Sequence, residues 1–183
     1  MHDQLAPSDW IRRWSHLVPA GGQVLDVACG QGRHMRWFSE RNHQVTGIDK
    51  APQAIESVVN LGRAIRADIE AAPWPLPGRR FDCVLVTNYL WRPLLPTIVA
   101  SVAPGGLLLY ETFAQGNETV GRPARAEFLL RPGELLQACQ GLRVVAYEDG
   151  YLDEPARFVQ RIAAVRAPLG AAGPLRLPLR GTP

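Results

Sequence analysis

Cysteine and lysine are both scarce in this chain of 183 residues. Cys29, Cys83 and Cys139 are odd in number, widely spaced and in no C-x-x-C pair. That excludes a disulfide framework and a zinc ribbon, and predicts a reducing, cytoplasmic setting with no structural metal. No apolar run reaches the roughly 18 residues of a membrane span, and Met1-His2-Asp3-Gln4 lacks the apolar stretch of an export signal. Internal repeats are absent too. Lys50 is the one lysine among 20 basic residues, set against 17 acids for a net charge of +3. Such an excess invites thoughts of nucleic acid. Residues 168–183, however, are rich in proline and glycine and carry Arg176 and Arg180 with no acid. Most of the excess therefore sits in a tail, and the body before it is close to neutral. The expected organisation is one domain over residues 1–167, with an N-terminal helix (1–20) over the pocket, followed by a tail at 168–183 that is mobile or docked as an extended arm.

Helix and strand signals alternate along the body. Ser8 is placed to cap a helix whose Trp10, Ile11, Trp14, Leu17 and Val18 recur at spacings of three and four, ended by Pro19. Short apolar runs follow at Gln23–Ala28, Val45–Asp49, Arg63–Ile69, Phe81–Thr87 and Leu107–Phe113. Helical periods lie between them at Arg33–Arg41, from Ala51-Pro52 through Val59, and at Leu94–Val102. Pro73, Pro75 and Pro77 confine the segment from Ala71 to Gly78 to a surface connection. Ala114–Ala126 reads as a loop or lid and Pro132–Cys139 as a short helix. Strands that are nearly continuously apolar and alternate with helices imply a parallel sheet covered on both faces, a doubly wound α/β fold. The end of the chain differs: Leu142–Tyr147 and Phe158–Val165, joined by a loop at Gly150-Tyr151 with no helical period, predict an antiparallel pair at one sheet edge.

In such sheets ligands bind beyond the carboxyl ends of the strands, at the loops after Ala28, Ile48, Ala67 and Thr87. The first of these loops, Cys29-Gly30-Gln31-Gly32, can turn sharply and admit a ligand close to its backbone. Asp49 follows it by about 20 residues, the place where an acid takes the hydroxyls of a ribose. Asp68 stands where it can accept from an exocyclic amine. A dinucleotide requires Gly or Ala at the third position of the glycine fingerprint, and here Met35 or Arg33 occupies it. The Gly-Lys-Ser/Thr ending of a P-loop is also missing. Asp26, at the loop entrance, suits a ligand with a cationic amine. An adenosine bearing an amino acid and a sulfonium fits this arrangement better than a dinucleotide.

From Val24 to Val165 these residues resemble the class I S-adenosylmethionine-dependent methyltransferases. The resemblance rests on Val24-Leu25-Asp26-Val27-Ala28-Cys29-Gly30-Gln31-Gly32, Asp49, Asp68-Ile69, Phe81 to Asn88, and Ala103-Pro104-Gly105-Gly106-Leu107, in that order. It implies a Rossmann-like, mostly parallel seven-stranded sheet with an antiparallel strand at its edge. It also implies a site in which the loop of Asp26, Ala28, Cys29, Gly30 and Gly32 holds the methionine moiety of the cofactor. Asp49 would hold the ribose and Asp68 with the Ile69 amide the adenine, with Lys50 also among the cofactor-binding residues. Asn88 and Tyr89 would lie beside the sulfonium, and S-adenosylhomocysteine would be the product. The chain departs from the commoner glycine motif at Ala28, as other members with Ala-Cys-Gly-x-Gly do.

Methyl transfer is an in-line displacement, so the protein chiefly aligns nucleophile and methyl and excludes water. The acceptor is therefore weakly encoded. Asn88-Tyr89-Leu90-Trp91 lacks the prolines of enzymes that methylate base amines, and no paired-glutamate loop of arginine methyltransferases is present. Tyr89-Leu90-Trp91-Arg92 and Phe128 to Leu135 are similar to the small-molecule methyltransferases of the tellurite-resistance type. On that footing Tyr89, Arg92 and Glu111, flanked by Trp91 and Phe113, are the acceptor-side candidates. Thr112–Arg125 could close over them. His34 reads as an orienting or solvated residue, and His16 reaches the pocket only if the first helix folds over it. Cys29 reads as a small packing residue. The expected partner is a small-molecule acceptor, with nucleic acid and membrane disfavoured. Two alternatives stand beside it, a cofactor-binding module without turnover and an RNA methyltransferase.

Overall fold

A computed structural model describes residues 6–170 and 173–179 of the chain. Met1-His2-Asp3-Gln4 and Arg180 lie outside those residues. Seven strands form one sheet: β1 (Gln23–Val27), β2 (Gln44–Asp49), β3 (Arg63–Arg66), β4 (Phe81–Thr87), β5 (Val102–Phe113), β6 (Arg143–Asp153) and β7 (Ala156–Val165). Their order is β3-β2-β1-β4-β5-β7-β6. The first five are parallel, while β7 runs antiparallel to both β5 and β6. This is the doubly wound, mostly parallel sheet with an antiparallel pair at its edge that the strand pattern predicts.

Side chains alternate across the sheet and so build a core on each face. On β4 and β5, Val84, Val86, Leu108 and Tyr110 face one way, toward Leu94 and Ile98 of α4 (Leu95–Ala100) and its lead-in and Leu135 of α5 (Glu134–Ala138). Cys83, Leu85, Leu107 and Leu109 face the other way. There they meet α1 (Asp9–Trp14), α2 (Arg33–Ser39) and α3 (Pro52–Val58) through Trp10, Ile11, Trp14, Met35, Phe38 and Val58. Ser8 caps α1 as expected, its Oγ accepting from Trp10 N–H. Trp10 in turn donates its indole N–H to Ile162 O (3.2 Å), which ties α1 to the antiparallel strand.

Several boundaries differ from the sequence pattern. The strand expected at Arg63–Ile69 stops at Arg66, because Asp68 folds the chain into a turn by accepting from Glu70 and Ala71 N–H. The helix expected to reach Val102 ends at Ala100; Val102 already pairs with Phe81 in the sheet. Arg166 closes that helix end by donating to Val99 and Val102 O. The loop expected at Gly150-Tyr151 is strand instead. Gly150 pairs with Val159, Tyr151 packs on Phe158 across the ladder (5.0 Å between rings), and the hairpin turns at Glu154-Pro155.

Within the tail, Leu175 and Leu177 pack on the face that carries α1, and His16 Nε2 lies 3.0 Å from Pro178 O. No helix among the described residues is long and apolar enough to cross a membrane.

Candidate cofactor and acceptor site

The loops that follow β1, β2, β3 and β4 converge at one end of the sheet. Between them lies a cleft of about 210 Å³ lined by Ala28, Asp49, Lys50, Ala67, Asp68, Ile69, Glu70 and Tyr89. Asp49 joins two of the loops: its Oδ2 accepts from Gly30 N–H and its Oδ1 from Ala51 N–H, both at 2.9 Å. Each carboxylate oxygen keeps a lone pair free for a ligand hydroxyl. Asp68 is held by its turn contacts to Glu70 and Ala71, with one oxygen unspent.

The glycine loop has local reasons for its composition. Gly32 is left-handed (φ 73°), and a Cβ there would meet Val58 Cγ1 at 2.3 Å, so only glycine lets α2 start against α3. Ala28 adopts φ 56°, a conformation that glycine holds at less cost. Cys29 is buried, and its thiol is pushed well above its ordinary range, first by burial and then by Asp26 and Asp49. It packs against Gly47, where a Cβ would approach its sulfur to 2.8 Å, and it supplies no thiolate.

Under this loop lies a buried polar cluster. Asp26 is 2% exposed and its Oδ2 has no hydrogen-bond partner. Burial pushes its pKa up to about 8; Asp49 adds to the rise, while Arg33 opposes it more strongly than Asp49 adds. His34, also buried, stands with Nδ1 4.0 Å from that oxygen and 3.5 Å from Thr87 Oγ1, while its Nε2 accepts Ser8 N–H (3.2 Å). Burial and then Arg33 pull the His34 pKa down to about 3. Burial thus disfavours the charged form of both facing groups. Ser8 Oγ donates to Glu111 Oε2 (3.0 Å), and Arg157 and Arg161 approach the same carboxylate at 3.4 and 3.6 Å.

A second cleft, of about 300 Å³, adjoins the first and shares Glu70 and Tyr89 with it. Asn88, Leu90, Thr112, Phe113, Pro123 and Phe128 complete its lining. The Tyr89 hydroxyl lies beside Glu70 without a hydrogen bond of good geometry, and burial, then the Glu70 carboxylate, raises its pKa above the ordinary range.

The sequence-derived residues therefore divide. Ala28, Asp49, Lys50, Asp68, Ile69 and Tyr89 share the first cleft, and Asn88 falls in the second. Gly30 and Gly32 shape the loop, and Asp26 lies beneath it. Three acceptor-side expectations fall outside the lining of both clefts. Arg92 lines neither cleft: it is paired with Glu134 (2.6 Å) and donates to Glu127 and Leu129 O, so its guanidinium is spent as a clamp on the segment 127–134. Glu111 is fully buried and compensated by two arginines under the N-terminal segment. Trp91 is surface-exposed. His16 points away from both clefts, toward Arg13 O and Pro178 O. Sequence reasoning missed Glu70 and the Ser8–His34 contact; Glu70 directly follows Asp68-Ile69, which was the one available signal for it.

Comparison with known proteins adds to this geometry. Residues 24–106 match a family described as a methyltransferase domain. The chain is 33% identical over 105 residues to a malonyl-[acyl-carrier protein] O-methyltransferase of Serratia marcescens, an alignment covering 53% of this chain and 40% of that protein. It is 39% identical over 127 residues to a ribosomal protein L11 methyltransferase of Pseudomonas aeruginosa, covering 62% and 41%. The chain thus spans about two fifths of these relatives' length. Among solved structures, TehB from Haemophilus influenzae superposes with a TM-score of 0.69 at 21% identity, covering 86% of this chain and 61% of that one. The resemblance carried by the sequence motifs is borne out, and the strand order places the chain on the class I methyltransferase fold.

Proposed function

We propose, from the premise that this chain carries a methyltransferase domain on the fold of the class I S-adenosylmethionine-dependent methyltransferases, that it transfers the cofactor's methyl group to a small-molecule acceptor. The observation that carries the reading is the pair of adjoining clefts. The first has the acids and backbone for an adenosine: Asp49 for the ribose hydroxyls, Lys50 at their edge, Asp68 and Ile69 for the adenine. Asp26, with an unpaired buried oxygen, suits the amino group of the methionine moiety, and Gly30 and Gly32 let the chain pass close to it. The second cleft is of small-molecule size and has Pro123 and Phe128 in its lining. Tyr89, shared by both, stands at the junction where methyl and nucleophile would meet.

Displacement at the methyl carbon needs little from the protein beyond alignment and exclusion of water. The nucleophile's lone pair forms the new bond as the carbon–sulfur bond breaks, and its electrons stay on sulfur to give S-adenosylhomocysteine. Asn88, left-handed at φ 54°, and Tyr89 leave the end of β4 directly at this junction. Arg92 acts through position only, holding the segment beneath Phe128.

Equilibrium dialysis with radiolabelled S-adenosylmethionine tests the assignment. Asp49→Ala loses charge-assisted hydrogen bonds to the ribose and weakens binding by about tenfold or more. An Asp49→Ala protein that folds and binds as the wild type does would remove the ribose assignment.

A further inference from the structure

The second cleft has a charge pattern that bears on its occupant. Among the described residues, Glu70 is the single charged side chain in its lining. Leu90, Phe113, Pro123 and Phe128 form apolar walls, and Tyr89 contributes an aromatic ring and a hydroxyl beside Glu70. The adjoining cleft adds Asp49 and Asp68 against Lys50 alone, so the shared mouth is acidic. Among the described residues, no arginine lines either cleft, and several of those nearby are paired with acids or carbonyls. Arg92 is bound to Glu134 and two carbonyls, Arg157 and Arg161 stand on Glu111, and Arg125 is paired with Glu127. An anionic acceptor would meet carboxylates here and no free guanidinium among the lining residues. A cation, by contrast, finds complementary charge at the end of an apolar slot.

We propose that the acceptor is an amine with an apolar body, its nitrogen toward Glu70 and its body between Tyr89, Leu90, Phe113 and Phe128. The inference deepens the methyl-transfer reading above and rests on it. The amine arrives as an ammonium drawn by Glu70, which is exposed at the cleft mouth, and gives its proton to water there. Its freed lone pair then forms the carbon–nitrogen bond as the sulfonium's carbon–sulfur bond breaks. Sulfur keeps that electron pair and becomes a neutral thioether. The methylated nitrogen leaves as an ammonium, and the carboxylates around the junction offset the cofactor's positive charge until then.

The test uses the full chain saturated with S-adenosylhomocysteine and two probes of matched shape and opposite charge, phenethylamine and phenylpropanoate. Titration calorimetry reads both affinities, and the S-adenosylhomocysteine titration is run first as a separate measurement. The expected result is a preference for the amine of about tenfold, since attraction to Glu70 turns into repulsion for the carboxylate. Glu70→Gln narrows that ratio to within about threefold. Because the readout is a ratio on one protein sample, general damage from the substitution does not mimic it. Equal affinities, a preference for the carboxylate, a ratio unchanged in Glu70→Gln, or no probe binding to a protein that does bind S-adenosylhomocysteine would each overturn the amine assignment and leave the methyl-transfer reading intact. Failure to bind S-adenosylhomocysteine would overturn both.

Discussion

Gly32 and Asp26 show how much of the site is decided by single residues. At Gly32 a methyl group would both occupy a left-handed backbone position and enter the volume of Val58. Gly32→Ala is therefore expected to cost about 3 kcal/mol, read as a shift of the urea midpoint. Asp26 matters through its proton. Its folded pKa of about 8 lies above the ordinary 3.8, so the fold favours the neutral carboxyl. The stability this neutral form brings is complete below about pH 4 and is lost as pH rises through 8. A ligand ammonium favours the opposite, ionised form. Cofactor binding should thus release protons near neutral pH, and affinity should climb as pH rises toward 8 and fall again once the ligand's own ammonium loses its proton. Calorimetry in buffers of different ionisation enthalpy checks this; a proton release that persists in Asp26→Asn would assign it elsewhere. Asp49 was legible in the sequence because a βαβ unit fixes the distance from glycine loop to second acid. His34 was not, since its partner Ser8 N–H lies 26 residues away and Glu111, which Ser8 also holds, 103 residues from Ser8. Contacts of that reach leave no local pattern.

Arg92 displays the element scale. It begins the turn into α4 and reaches across to the segment that precedes α5, so one side chain couples two connections on the same face of the sheet. Removing it leaves two carbonyls without a side-chain donor and the half-buried Glu134 with only the Arg131 N–H. Arg92→Ala is expected to lose about 2 kcal/mol of stability while leaving S-adenosylhomocysteine affinity unchanged. A drop in cofactor affinity with stability intact would return Arg92 to the site. The strands and helices themselves were readable from apolar runs and spacing, because each face of the sheet must be buried. Two boundaries were not. Gly150 reads as a turn in isolation, yet the Tyr151–Phe158 pair across the ladder extends the hairpin past it. Asp68 ends β3 through a side-chain contact that competes with the strand.

For the molecule as a whole, charge and sheet order point the same way. The basic excess of the chain gathers partly in its last 16 residues, and the end of the sheet where the clefts open is lined by Asp49, Asp68 and Glu70. That distribution disfavours a polyanion at the clefts and suits a small molecule. The tail residues Leu175 and Leu177 pack against the cluster on the α1 face. On the proposed function, the cleft between Ala28 and Tyr89 is a site for S-adenosylmethionine and its product. Calorimetric titration of the intact protein with S-adenosylhomocysteine tests it most directly. One site per chain with micromolar affinity is the predicted result; no heat of binding at high micromolar concentration would contradict it.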